Sequence, residues 1–247
     1  INGQYKGYYN PAEHIEEPFC QAWHGGELDW DVLTVGSQPL DGDTVEWSRL
    51  RNYVASQDVT QPEVYLDIER RFDLVNFVDY LLVNVYAGTG DWGGNNWRCA
   101  RERAPGARFR YYVWDAEWAW GYASRPVSIN SFENELAGNN EMALLYKRLR
   151  LSPEFRLLFA DRINRHLFNG GALMETNVMA RFENLRTLMA GVLPDMQRDI
   201  ATSWIPNRRG YLMSHLAGQG LLASNAAPVF SPHGGRVAPG FPLTMTV

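Results

Sequence analysis

The feature that most constrains this chain is a helix that ends on glycines and runs straight into an acidic turn. Leu74, Phe77, Val78, Leu81, Leu82 and Val85 recur at three- and four-residue spacing, the apolar stripe of an amphipathic helix. The pattern starts at Leu66 or Asp73 and runs to about Tyr86, and Gly88 and Gly90 break it. The last helical turn therefore delivers the stretch Asp91-Trp-Gly-Gly-Asn95-Asn96. Two strand-like runs follow, Trp97 to Arg103 and Phe109 to Trp114, joined by a turn at Ala104-Pro-Gly106. The second run ends in Trp114-Asp115-Ala-Glu117-Trp118. Carboxylates and amides flank this hairpin, which is expected to be an active or former active centre that the rest of the chain supports.

The remaining sequence has enough apolar material to do so. At 247 residues and 45% hydrophobic, the chain suits one large domain, or one domain and a fragment. A net charge of −5 argues against a nucleic-acid surface. No apolar run approaches the roughly 20 residues of a membrane span. The chain begins without Met inside a strand-like run, so it is expected to be cut from a longer protein. Cys20 and Cys99 are too few for a disulfide framework and lack metal-site spacing, so two separate buried thiols are expected, with a single disulfide as the alternative.

In chain order, Asn2-Gly3 and residues 5–9 read as the end of a hairpin. A short helix is expected over 16–23, stopped by Gly25-Gly26, then a strand over Asp31–Val35 and a turn-rich loop over 36–43. Thr44–Ser56 reads as a helix with Thr44 as N-cap and Val45, Leu50 and Val54 on one face. A further helix start lies at Asp58–Pro62. Residues 122–140 read as a long polar loop. Beyond it the chain reads as helices over 142–149, from Ser152-Pro153 through Leu167, and over 172–191, 193–203 and 207–217. Residues 223–247 are rich in Pro and Gly and read as a linker into a following β-domain.

An Asp on a glycine-bounded turn, an Asn five residues later and a second Asp after the next hairpin can divide one task. Asn96 and Asp115 offer neutral and anionic oxygens of the kind Mg²⁺ takes. Asp91 can then orient or deprotonate an attacking hydroxyl, as in kinase-type phosphoryl transfer. Asp, Asn and Gly are also the favoured residues of turns, so turn chemistry alone accounts for the same spacing.

Several separated stretches resemble the CotH family, the spore coat protein H-like atypical kinases. They are Asn2-Gly-Gln-Tyr-Lys-Gly7-Tyr-Tyr with Glu13, Tyr80-Leu-Leu-Val-Asn84, Asp91-Trp92, Asn95-Asn96, Trp114-Asp115-Ala-Glu117, and Arg208-Arg209 with Leu212 and Leu216. The resemblance covers roughly residues 1–222. It implies an α+β, protein-kinase-like fold, here mostly the helical C-terminal lobe, with residues 1–13 as the last small-lobe hairpin and the hinge. It implies Asp91 as the catalytic residue, Glu13, Asn96 and Asp115 at the nucleotide, and Asn96, Asp115 and Glu117 on the metal. ATP with Mg²⁺ (or Mn²⁺) and a protein substrate follow, as does an extracellular or cell-surface setting in a large bacterial protein. Two departures stand out: Glu117 replaces a second Asp, and Thr34-Val35 replaces a Tyr-Lys pair. The lobe expected to carry a phosphate-binding Lys precedes Ile1.

Two other readings stand beside this one. One is a CotH-like binding or scaffold module without catalysis. The other is a carbohydrate-active enzyme using Asp91, Asp115 or Glu117 as paired carboxylates beside tryptophans. Trp97, Trp114, Trp118 and Trp120 are expected to pack, with Trp92 the exception because glycines surround the Asp91 turn. Glu13 can contact nucleotide or cap a helix. Arg101 and Arg103 can meet phosphate or sit as exposed strand charges. Glu133, Asn134 and Glu135 can shape a peptide site or be solvated, and the five histidines show no ligand spacing.

Overall fold

A computed structural model of the chain describes residues 3–4, 12–25, 29–192, 199–223, 228–231 and 236–246. The expected hairpin over residues 2–10, the start of the helix expected at 193, and His233 lie outside these residues or almost wholly so. The architecture is α+β: one small antiparallel sheet with helices on both faces.

The elements follow in order. Helix α1 spans Glu17–His24 and ends at Gly25, in a positive-φ conformation that glycine adopts freely. Strand β1 is Trp30–Thr34 and β2 is Gln38–Asp41. Helices α2 (Val45–Ser56), α3 (Pro62–Arg71) and α4 (Leu74–Ala87) lead to strands β3 (Trp97–Glu102) and β4 (Arg110–Val113). Helices α5 (Ser131–Asn134), α6 (Glu141–Leu149), α7 (Pro153–Leu167) and α8 (Glu175–Met189) follow. A π-helical turn over Ile200–Trp204 runs into α9, Ile205–Gly218. Strands β5 (Val229–Ser231) and β6 (Thr244–Thr246) form a separate antiparallel pair.

The sheet order is β2-β1-β3-β4. Alternation along β1 and β3 divides its faces. Trp30, Val32 and Ala100 face α1 and enclose Cys20. Leu33, Trp97, Cys99 and Tyr111 face the main core with α2, α4 and α6. Cys20 and Cys99 therefore lie on opposite faces of one sheet, and both are free and buried. Burial pushes the Cys20 thiol up to about 12 and the Cys99 thiol well above its ordinary value.

Four expectations need correction. Residues 38–41 are a strand, not part of a loop. β2 is an exposed edge, where Pro39 costs no ladder bond inside the sheet. In α2 the buried face is Trp47, Leu50 and Val54, while Val45 is exposed. Thr44 makes no side-chain cap there; the Asp43 carboxylate accepts from the Val45 N–H instead. Residues 122–140 contain a 3-10 turn at 122–124 and the short helix α5, whose N-terminus Asn130 caps.

Of the two starts expected for α4, Leu66 and Asp73, the second holds: Asp73 is its N-cap and Leu74 its first residue, because Phe72 leaves α3 in an extended conformation and bridges Phe109. The Phe109 N–H donates to Arg71 O at 2.9 Å and the Asp73 N–H to Phe109 O at 3.0 Å. Asp73 then caps α4 by accepting the Asn76 N–H. The Asn76 amide pairs with both backbone groups of Tyr111, at 2.7 and 3.1 Å. Helix α4 is thereby fixed along the outer strand of the hairpin at its N-terminal end.

Candidate active site

The other end of α4 builds the site. Gly88 closes the helix in the left-handed conformation, with φ 60°. A Cβ there would come within 2.6 Å of Trp204 and 2.8 Å of Ile129, so the position requires glycine on two counts. Two backbone bonds then tie the chain leaving α4 to the chain leaving β4. The Trp120 N–H donates to Ala87 O at 2.9 Å, and the Gly90 N–H donates to Trp118 O at 2.8 Å. Asp91 follows immediately.

Hairpin register supplies the other members. Trp97 lies opposite Val113 and Arg98 opposite Tyr112. Asn96, just before Trp97, and Asp115, two beyond Val113, therefore leave the hairpin at the same end. That end is where the Gly90–Trp118 bond holds Asp91. Asp91, Asp115 and Glu117 are exposed and Asn96 is half-buried. Asp91 accepts from Asn95 Nδ2 at 3.0 Å, and its N–H donates to Glu135 Oε1 at 3.3 Å. Glu135 is also paired with Arg125 at 3.4 Å.

Backbone strain gathers in the same stretch. Asp91, Asp115, Trp120, Ala123 and Ser124 all hold positive φ, leaving only Ser37 and Asn169 elsewhere among the described non-glycine residues. Asp is among the few side chains that adopt this conformation readily, whereas Trp and Ala do so at a cost.

The tryptophans behave differently from expectation at two positions: Trp92, expected to be open, is buried, and Trp118, expected to pack, is exposed. Trp92 is 1% exposed and packs edge-on against Tyr80, so it belongs to the core. Only the indole turns in onto α4; at the neighbouring Gly93 a Cβ would come within 2.5 Å of Glu135 O, so that glycine allows a close backbone approach. Trp97 is buried as well, and Trp120 meets Tyr86 and Trp204. The exposed aromatic pair is Trp118 stacked on Tyr122, with centroids 5.8 Å apart. Trp114 carries the Arg98 guanidinium over its ring at 4.4 Å. Burial lowers the pKa of Arg98, opposed by the charges of Glu16 and Asp115.

Glu13 caps no helix; its carboxylate accepts from Trp23 Nε1. Arg101 and Arg103 are committed to the buried Asp31, and Arg103 also reaches Asp43. His166 joins Arg162 on Asp79, at 2.9 and 2.6 Å. Grooves of about 330 and 590 Å³ meet at His166, away from the Asp91 turn. A groove of about 550 Å³ lined by Trp120, Tyr122, Arg125 and Trp204 borders the turn.

Among the described residues no group of three or more His, Cys, Asp or Glu side chains is gathered to hold a metal. The donors at the end of the hairpin are oxygens: two exposed carboxylates, Asp115 and Glu117, and the Asn96 amide. Such an open oxygen set fits Mg²⁺, which keeps several waters and takes few protein ligands beside phosphate. Sequence reading does not single out Arg125, which anchors Glu135; it names Arg208 only as part of the stretch resembling the family's closing helix, and that side chain is wholly buried.

No helix among the described residues is long and apolar enough to cross a membrane. No curated protein matches the chain. The family model described as CotH kinase protein matches residues 1–205, a span that contains α4, the hairpin and every candidate site residue. With that match over most of its length, the chain belongs to the CotH kinase family.

Proposed function

We propose that the chain is the helical-lobe portion of an atypical kinase that transfers the ATP γ-phosphate to a hydroxyl of a protein substrate, with Mg²⁺. The observation that carries this reading is the register of the β3–β4 hairpin. It brings Asn96 and Asp115 out at one end, beside Asp91 at the C-terminus of α4. Asp91 orients the substrate hydroxyl and accepts its proton as the oxygen attacks phosphorus. Asn96, Asp115 and Glu117 would hold the metal, which would supply charge neutralisation at the phosphate oxygens. Glu13, on the segment leading into α1, stands on the nucleotide side of the reading. Exposure of the three carboxylates suits a site closed by a further lobe and by the nucleotide itself. An extracellular or cell-surface setting, with a β-domain following residue 222, belongs to the same proposal.

The test is phosphate incorporation by the full-length protein from γ-labelled ATP with Mg²⁺. Asp91→Asn and Asp115→Asn are each expected to lower kcat by on the order of a hundredfold or more. Labelling by both variants at the wild-type rate would overturn the assigned roles. A wild-type protein that neither labels a substrate nor gains thermal stability from Mg·ATP would be a binding module instead.

A further inference from the structure

One charged side chain in the core is left without a role by this reading. Arg208 on α9 is 0% exposed and makes no ion pair among the described residues. A guanidinium with five donors and no acceptor has to be satisfied inside the fold. It is satisfied entirely by backbone carbonyls. Nε donates to Tyr86 O at 2.8 Å, and Nη2 donates to Val85 O. Nη1 donates to Val127 O at 2.6 Å and to Ile129 O at 2.8 Å. Trp204 lies against the guanidinium, 5.1 Å from ring centre to Cζ, and also covers Gly88.

These four carbonyls belong to two segments that both lead to Asp91. Val85 and Tyr86 are in the last turn of α4, where unpaired carbonyls form the negative end of the helix dipole. From there the chain passes through Gly88 and Gly90 to Asp91. Val127 and Ile129 lead through the Asn130-capped helix α5 to Glu135, which accepts the Asp91 N–H. We infer that Arg208 is a positioning residue for the Asp91 turn, a single buried cation that locks the end of α4 to the segment whose far end holds the turn in place. It touches neither substrate nor metal. The inference rests on the reading of Asp91 as the residue that handles the hydroxyl. Its structural half is independent of that reading.

Lysine cannot reproduce this span, because it presents one compact charge on a flexible stem in place of a planar fork. The test therefore uses Arg208→Lys and, as a variant that fills the volume and buries no charge, Arg208→Met, both in the full-length protein. Hydrogen exchange is expected to accelerate about tenfold or more at residues 88–91 and 125–135, with α2, α3 and α7 retaining their protection. Phosphate transfer is expected to lose on the order of ten- to a hundredfold in kcat, with KM for Mg·ATP within about twofold. Exchange that rises equally across all helices, or that does not change at 88–91, would overturn the inference. So would an unchanged kcat in a folded variant. If the wild-type protein transfers no phosphate, the functional reading falls, and the exchange data alone decide whether Arg208 holds the turn.

Discussion

The backbone N–H of Asp91 and the carboxylate of Glu135 meet at 3.3 Å across 44 residues of chain. Glu135 thereby uses one oxygen both to fix the turn and to hold Arg125. Removing it leaves Asp91 with its side chain intact but its backbone untethered. Glu135→Ala is expected to cost about 1–2 kcal/mol in global stability. The exchange of the Asp91 amide should rise by more than that global loss explains. A thermal melt and amide exchange on the same sample check both; an Asp91 amide that stays protected would show that another contact holds the turn.

Gly88 and Gly210 should respond to alanine in opposite directions. At Gly88 a Cβ meets Trp204 and Ile129 and the backbone is left-handed. Gly88→Ala is expected to destabilise by about 2–4 kcal/mol, strain and overpacking together. Gly210 lies inside α9 with open space where its Cβ would be. Gly210→Ala is expected to stabilise by about 0.5–1 kcal/mol. Denaturant unfolding of the two variants gives both signs in one measurement.

Asp79, Arg162 and His166 make stability depend on pH in a defined direction. Burial raises the Asp79 pKa, but the His166 and Arg162 hydrogen bonds and their charges outweigh it and hold the carboxyl below its ordinary value. A group whose folded pKa is depressed contributes stability above its unfolded pKa, about 3.9 for Asp, and loses it as pH falls through the lower folded value. Stability measured downward from pH 5 should therefore decline more steeply in the wild-type protein than in Asp79→Asn. Parallel curves would mean that the three groups are not coupled in solution.

Both thiols should be silent in the native protein. Cys20 and Cys99 are buried on opposite faces of the sheet, and burial raises both of their pKa values. The thiolate is the reactive form, so a thiol reagent at pH 8 is expected to titrate neither until denaturant is added, and then both. Oxidised and reduced samples should migrate alike. A native disulfide would contradict the packing of Val32 and Ala100 around Cys20.

Local chemistry made the centre of the molecule legible. The stripe from Leu74 to Val85 has no competing period, and Ala104-Pro-Gly106 can only be a turn between the two runs that flank it. The Ser152 cap with Pro153 is equally local, and Ser152 Oγ accepts the Phe155 N–H at 3.2 Å. What was not legible depends on distant partners. Nothing near Phe72 says that it will pair with Phe109 and cut α3 from α4. Gln38–Asp41 has no inward face, so it shows no alternation to read. The glycines around Trp92 suggested exposure, whereas Tyr80, a residue of α4, gives the indole a core site. Arg208 stands out only through the family resemblance of its helix, and its burial was not legible because its partners are more than 75 residues away. The kinase-like order of Asp91, Asn96 and Asp115 was legible as residue order alone; what the register adds is that Asn96 and Asp115 leave the hairpin at one end.

The positive φ of Asp91 and Asp115 bears on how this site would change over evolutionary time. A left-handed backbone favours Asp, Asn and Gly whatever chemistry is done there. Shape and charge are thus selected at the same two positions. A relative that had given up phosphate transfer would drift at 91 and 115 to asparagine or glycine long before it reached leucine or valine. A catalytically silent member of such a lineage would keep its turns, its hairpin and its outward likeness to a working one.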